Sequence, residues 1–164
     1  MLTNNGKAIC FVSHYIPNSH NPRYILCNTT GTIATFERHT ENQPKERNYS
    51  YLCNNMEIVV GSGITAANVH DIKLENEITA SNLKCLYKRS QNAISDCVNW
   101  RSPLIMHATK TYYNSSSTEN IVINEIGLIT KDGYGFDYLL VREVLEDSLI
   151  IEPDEIVTLT ITID

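Results

Sequence analysis

The chain has 164 residues, 42% of them hydrophobic, and a formal net charge of −6. A chain of this length buries about 70% of its unfolded surface and can hold a core without metal or disulfide. No apolar run approaches the ~20 residues of a membrane-spanning helix, and no basic cluster with interleaved aromatic residues indicates nucleic acid binding. We therefore predict one domain over residues 1–164, with neither a membrane nor a nucleic acid as partner.

Short runs of β-branched and aromatic residues alternate with turn-forming clusters along the chain, a pattern typical of an all-β domain. Helix-period spacing is scarce, and long polar connections separate several of the runs. We predict a two-sheet antiparallel sandwich, jelly-roll or immunoglobulin-like, with long loops and little helix. The predicted strands are Ala8–Ser13, Arg23–Asn28, Thr32–Phe36, Tyr49–Cys53, Glu57–Val60, Ile78–Tyr87, Leu104–Tyr113, Asn120–Thr130, Phe136–Leu145, Leu149–Ile151 and Glu155–Ile163.

Turn signals connect these strands. Two glycines in Lys131–Gly135 can take positive φ, so residues 120–145 should form a hairpin. Pro153 stands at a turn corner before the last strand, in which aliphatic residues alternate with threonines as in a half-buried strand. The polar residues 37–48 are expected to form a surface loop or arm, and residues 114–118 an exposed hairpin tip.

The cysteines are single and widely spaced, at positions 10, 27, 53, 85 and 97, and no CxxC pair is present. Together with a start that lacks the pattern of an export signal, this predicts reduced, buried cysteines in a protein folded in the cytoplasm. No histidine stands at metal-ligand spacing from a cysteine. We predict neither a metal nor another cofactor.

Charge is divided unevenly along the chain. Residues 119–164 hold two basic and eleven acidic side chains, a net charge of −9, whereas residues 1–118 hold eleven basic and eight acidic ones, a net charge of +3. The acidic part is either a solvated face or a surface that meets the basic part of another copy.

The sequence contains no clear catalytic motif. Gly61 and Gly63 resemble a phosphate loop but lack its lysine, so we interpret them as a tight turn that leaves a strand, with Asp71 capping a short turn. Glu125 and Arg142 lie in apolar strands, where we favour a structural ion pair over an exposed face or a catalytic role. Paired carboxylates for glycoside cleavage could come from Glu125, Asp137 or Glu143, and sugar-stacking aromatic residues from Trp100, Tyr112, Tyr113 or Tyr134.

Several short motifs occur along the chain. They are the opening Leu-Thr-Asn-Asn-Gly-Lys, Val60-Gly-Ser-Gly, Asp71-x-x-Leu74-Glu-Asn, Asn124-Glu-Ile-Gly-Leu, Leu140-Val-Arg-Glu-Val-Leu and Pro153-Asp-Glu-x-Val. On the last five of these motifs, residues 58–164 resemble a family of small virion structural proteins of tailed bacteriophages, and the opening is similar to the starts of such proteins. The chain departs from that family at Asp154, where glycine usually follows the proline, and this should alter the turn type. Residues 14–56 match no part of the family's plan.

The resemblance implies a non-enzymatic β-sandwich, present in many copies in the virion as a homo-oligomer. It would bind other phage virion proteins, such as the major capsid or tail proteins, as a capsid decoration protein or as a tail, collar or baseplate component. The alternative is a receptor- or carbohydrate-binding module on a fibre or baseplate. For the interface we select the most polar stretch, with Arg38, His39, Lys45, Glu46 and Arg47 as an arm that reaches a neighbour; a plain surface loop is the competing interpretation.

Overall fold

A computed structural model describes residues 1–7, 23–37, 56–92 and 106–163. The strands within these ranges are β1 (Arg23–Cys27), β2 (Ile33–Glu37), β3 (Met56–Gly61), β4 (Leu83–Asn92), β5 (Met106–Asn114), β6 (Ile121–Lys131), β7 (Asp137–Ile151) and β8 (Ile156–Ile163). The helix in these ranges is one turn at residues 4–7. In this part of the chain, no helix has the length and apolar character needed to cross a membrane. The predicted strands Ala8–Ser13 and Tyr49–Cys53 lie outside the described residues.

The strands form a hairpin, β1-β2, and two antiparallel three-stranded sheets with the orders β3-β6-β7 and β4-β5-β8. The two sheets pack face to face around one main core. From the first sheet, the core receives Ile58, Ile123, Leu128, Tyr138 and Leu140; from the second, Ala108 and Tyr112; and from the hairpin, Leu26. The predicted all-β sandwich is therefore confirmed.

The hairpin β6-β7 is confirmed, and the side chain of Asp132 builds its turn. One carboxylate oxygen accepts the backbone N–H groups of Tyr134 and Phe136, each at 2.9 Å, and the other accepts the hydroxyl of Tyr138 at 3.0 Å. Of the two glycines in the turn, Gly135 alone adopts positive φ, at 85°. The turn thus depends on an aspartate bonded to its own backbone as much as on glycine.

Strand β7 contains two irregularities that the sequence pattern did not reveal. Residues 145–148 loop out of the ladder, because Glu125 pairs with Val144 whereas Ile123 pairs with Leu149. Strand β7 nevertheless continues through this irregularity, so the separately predicted strands Phe136–Leu145 and Leu149–Ile151 are one strand. A second register shift leaves Leu140 unpaired, since Leu139 lies opposite Ile129 and Val141 opposite Leu128. An extra residue in one strand changes which side chains share a face.

Two local predictions were wrong. Strand β4 begins at Leu83 rather than Ile78, because residues 76–78 run along the edge of β3 instead. Residues 114–118 are not a hairpin tip, since they connect β5 and β6, which belong to different sheets. Asn114 there is fully buried, and its amide donates to the carbonyl oxygens of Glu119 and Ile151 at 2.7 and 3.0 Å. The Asn114 side chain thus ties the crossing between the sheets to the end of β7.

The expected burial of the cysteines is also wrong where it can be checked. Cys27 is half-buried and Cys85 is exposed, and both are free thiols. Cys85 lies on the edge strand β4, directly before a β-bulge at Leu86. The other three cysteines lie outside the described residues.

Strand β8 is confirmed as a half-buried strand whose residues alternate between exposed and partly buried along its whole length. The turn before it places Pro153 at its second position and Asp154 at its third, with φ of 62° at Asp154. Positive φ at that position is the conformation for which a type II turn favours glycine. The Asp154 carboxylate accepts the hydroxyl of Tyr113 at 2.8 Å, a contact that glycine could not make.

Candidate functional site

Arg142 on β7 is 3% exposed, and its guanidinium group bonds to both the sheet and the loop of residues 62–77. Its Nε donates to Glu125 Oε2 at 2.8 Å, its Nη1 donates to Asp71 Oδ2 at 2.9 Å, and its Nη2 donates to the carbonyl oxygen of Thr65 at 3.1 Å and lies 3.4 Å from Glu75 Oε2. We call Arg142, Glu125, Asp71 and Glu75 the arginine network. It brings together the two residues that the sequence suggested as a pair and adds two carboxylates from the loop of residues 62–77.

The bulge at Leu140 explains why Arg142 faces this loop. Simple alternation would put Leu140 and Arg142 on one face of the sheet, but Leu140 packs in the main core. The unpaired residue shifts the alternation, so that Arg142 shares the opposite face with Leu139. Leu139 packs there with Val59, Ile129 and the loop residue Leu74 in a second, smaller core.

Glu125 is fully buried and uses both carboxylate oxygens. Oε1 accepts the backbone N–H groups of Gly63 and Asn76 at 3.1 and 2.8 Å, and Oε2 accepts the backbone N–H of Glu75 at 3.1 Å in addition to Arg142. Burial works against the charged carboxylate, but these hydrogen bonds outweigh it and hold the pKa of Glu125 below its ordinary value. Four donors fill the acceptor sites of a carboxylate, so Glu125 has none left for a substrate or a metal.

Gly61 and Gly63 are required for space rather than for a turn. Neither adopts positive φ. A Cβ on Gly61 would lie 2.7 Å from the carbonyl oxygen of Asn76, and one on Gly63 would lie 2.6 Å from Glu125 Oε1. The tight turn expected from the sequence is thus replaced by a close approach of backbone to carboxylate. Asp71 does act as predicted within a short turn, because its carboxylate accepts the N–H of Asn68 at 2.8 Å.

Residues 1–7 hold the same region from the other side. The backbone N–H of Thr3 donates to the carbonyl oxygen of Leu140 at 3.0 Å, and its buried hydroxyl donates to that of Leu139 at 2.7 Å. The N–H of Asn4 donates to the carbonyl oxygen of Val69 at 2.7 Å, and the side chain of Asn5 pairs with both backbone groups of Cys27. This segment therefore ties β7, the loop of residues 62–77 and the hairpin β1-β2 together.

A second polar contact joins the two sheets. The ammonium group of Lys110 on β5 pairs with the carboxylate of Glu57 on β3 and donates to the carbonyl oxygen of Ile58 at 3.0 Å. The hydroxyl of Tyr112 donates to the same oxygen at 2.8 Å. Burial opposes the charge on Glu57, but Lys110 outweighs it, and the pKa of Glu57 is lowered. Tyr112 is 4% exposed and so is not a sugar-stacking residue.

The outer edges of the two sheets differ in how they are protected. Residues 76–78 bond along the end of β3, and residues 1–3 bond along β7. Strand β4 has a bulge and the charged residues Lys84, Lys88 and Arg89. Charges, bulges and covering segments are the usual protection of an edge strand. Strand β8 has no charged residue, no proline and no bulge, and no described strand pairs with its outer edge.

An apolar groove of about 440 Å³ lies beside this edge, between β8 and β7. Glu143, Thr160 and Thr162 also line it, and its apolar lining consists of Met1, Leu2, Ile126, Val141, Leu145, Ile161 and Ile163. The last five of these are only partly buried although they pack against the core. We call the outer edge of β8 together with this groove the β8 edge. It is the candidate site for an interaction with another protein.

The remaining predicted site residues can be placed as follows. Arg38, His39, Lys45, Glu46 and Arg47 lie outside the described residues, as does Trp100. Within the described ranges, no group of three or more His, Cys, Asp or Glu side chains could hold a metal ion.

The fold and these contacts define an all-β sandwich with an internal ion-pair network, in which the outer edge of β8 is covered by no described strand. No protein-family model, no curated protein and no solved structure matches the chain.

Proposed function

We propose that this protein is a non-enzymatic structural protein of a tailed-bacteriophage virion. It would be present in multiple copies and would decorate or stabilise the capsid or form part of the tail, collar or baseplate. It would fold in the cytoplasm of the host bacterium before it assembles with the major capsid or tail proteins.

The observation that carries this proposal is the convergence of the sequence motifs on which the resemblance depends. Five of the six motifs contribute to the contacts around Arg142: the opening segment along β7, the glycines beside Glu125, the loop carboxylates, and the strands that carry Glu125 and Arg142. Chance matches to unrelated short motifs would be scattered over the fold. Because the motifs meet at one place, they fit residues that determine the fold, and the resemblance implies that such residues are shared with the family.

The use of the polar groups supports a role without catalysis. Glu125, one of the carboxylates considered for glycoside cleavage, is fully buried, with all its acceptor sites occupied. A catalytic carboxylate must reach the substrate directly or through one water molecule. The arginine network therefore fits a structural role, in which it fixes a loop on the sheet.

The proposal is tested on particles made from the genome that encodes this chain, with the gene intact and with it deleted. Peptide mass spectrometry of purified particles should find the protein in multiple copies, and cryo-electron microscopy should show density at repeated positions that disappears on deletion. Complementation with the wild-type gene should restore that density. Absence of the protein from purified particles with an intact gene would refute the proposal.

The alternative, a receptor- or glycan-binding module, is favoured by exposed aromatic residues at the tip of the β6-β7 hairpin. Tyr134 and Phe136 are 55% and 47% exposed there. Exposed aromatic rings are suited to stacking on sugars. If this function is correct, Tyr134→Ala and Phe136→Ala should each abolish binding to a glycan array or to host cells, and Tyr87→Ala, at an exposed tyrosine on the other sheet, should not. No binding by the wild-type protein would reject the alternative.

A further inference from the structure

We infer that the β8 edge pairs with the β8 edge of a second copy of this chain. Two antiparallel β8 strands related by a twofold axis would join the two β4-β5-β8 sheets into one continuous sheet. The inference rests on the proposed multi-copy structural role and specifies which surface makes the contact between copies.

The backbone of β8 offers the hydrogen-bonding groups that such a pair needs. The N–H of Asn114 donates to the carbonyl oxygen of Glu155 at 3.0 Å, so this position is a hydrogen-bonded pair of the β5-β8 ladder. Because such pairs alternate along an antiparallel ladder, residues 157, 159, 161 and 163 direct their backbone groups at β5. Residues 156, 158, 160 and 162 direct theirs at the outer edge.

The threonine contacts agree with this assignment. Side chains approach more closely at the non-hydrogen-bonded positions of an antiparallel ladder. The hydroxyl oxygens of Thr111 and Thr158 are 2.9 Å apart, and those of Thr109 and Thr160 are 3.3 Å apart. Thr158 and Thr160 are therefore at such positions, and their backbone N–H and carbonyl groups on the other side pair with no strand of the described ranges.

The sequence of β8 is complementary to itself. Threonines at 158, 160 and 162 alternate with aliphatic residues at 157, 159, 161 and 163. In a twofold antiparallel pair, each threonine lies opposite a threonine and each aliphatic residue opposite an aliphatic one whenever both sandwiches lie on the same side of the joined sheet. The two apolar grooves then meet, and no charged residue of one strand faces a like charge of the other.

The contact is large enough for a specific dimer. An eight-residue strand is about 27 Å long, and two packed sheets present an edge roughly 20 Å thick, so each copy would bury on the order of 500 Å². The total of about 1,000 Å² reaches the lower limit of specific interfaces. We therefore expect a reversible dimer rather than an obligate one.

Sedimentation velocity of the full chain from about 1 to about 100 µM tests this inference. The wild-type protein should dimerise with increasing concentration. Thr160→Pro should weaken dimerisation at least about tenfold, since it removes an outward N–H but no bond to β5. Circular dichroism identifies any variant that does not fold.

A matched pair of lysine substitutions keeps the test decisive if the proline variant fails to fold. Thr160→Lys and Thr109→Lys break the same side-chain contact and add the same charge to the same face, but only Thr160 lies on the outer edge. Thr160→Lys should weaken the dimer about tenfold or more, and Thr109→Lys by less than about twofold.

Three results would overturn the inference: a wild-type monomer at the highest concentration, an unweakened Thr160→Lys dimer, or equal weakening by the two lysine variants. Failure here is distinguishable from failure of the proposed function, because incorporation into particles is measured separately. A protein that is monomeric in solution yet present on particles overturns only the β8 pairing. A dimer that is absent from particles overturns only the virion role.

Discussion

Replacement of Arg142 by methionine should destabilise the fold strongly, because it leaves the fully buried carboxylate of Glu125 without its cationic partner. Removing one member of a buried ion pair costs about 3–5 kcal/mol. Three backbone N–H groups still stabilise the charge of Glu125, and Asp71 and Glu75 are partly exposed to solvent. We therefore expect the lower end of that range, about 3 kcal/mol.

Urea denaturation followed by circular dichroism measures this loss. In a chain of this size, 1 kcal/mol corresponds to roughly 2–4 °C, so the melting temperature should fall by about 6–12 °C. Lys131→Met is the matched control, because it removes a cation 2.9 Å from Asp137 in a pair whose lysine is 45% exposed. An exposed pair of this kind contributes about 0–1 kcal/mol.

A double-mutant cycle with Glu125→Gln tests the mechanism itself. Both substitutions break the same Arg142–Glu125 contact, so the double variant should lose less stability than the sum of the two single variants. The reasoning is refuted if the losses add fully or if Arg142→Met costs no more than Lys131→Met.

Three further predictions concern the pH dependence of stability, the glycines and the polar stretch of residues 38–47. The pKa values of Glu125 and Glu57 are lowered in the folded chain, so their carboxylates bind protons more weakly there than in the unfolded chain. Stability should therefore be highest above the ordinary pKa of 4.5 and should fall as the pH drops through the lower pKa values of the folded state. Measuring the free energy of unfolding against pH checks this, and a flat profile contradicts it. Gly61→Ala should cost about 2–3 kcal/mol by denaturation, because its Cβ meets the Glu125 carboxylate, whereas Gly31→Ala, with φ of 85° but open space, should cost about 1 kcal/mol. Deletion of residues 38–47 should leave the melting temperature nearly unchanged but reduce the copy number in particles; equal incorporation would reject the arm.

The strands were predictable because each depends on local sequence. Turn residues and alternating hydrophobic residues located β1, β2, β3, β5, β6 and β8 to within a few residues. Face assignment in β7 was not predictable, because the bulged residue Leu140 has the same apolar character as its paired neighbours. Strict alternation of side chains would place Arg142 on the same face as Leu140, in the main core. The bulge instead turns Arg142 towards the loop of residues 62–77. Only knowledge of the register could have shown this.

The arginine network was only half predictable for a related reason. Two charges in apolar strands of one hairpin suggested that Glu125 and Arg142 are paired, since the hairpin brings them close. Asp71 and Glu75 come from a loop that precedes the hairpin by about fifty residues, and no local rule connects them to it. The one available signal was indirect: glycines at 61 and 63 leave room for a carboxylate, but their sequence equally fits a turn.

The alternation of residues in β8 does not predict which strands pair with it. A period of two identifies which face of a strand is buried but not which strands pair with it, because side chains leave the strand at right angles to its hydrogen bonds. Edge strands in natural proteins usually have charges, prolines or bulges, and β4 has two of these three features. Strand β8 has none, so its sequence is typical of a strand paired on both sides, although β5 is its only partner among the described strands. This mismatch between sequence and position is what a missing neighbouring strand would produce.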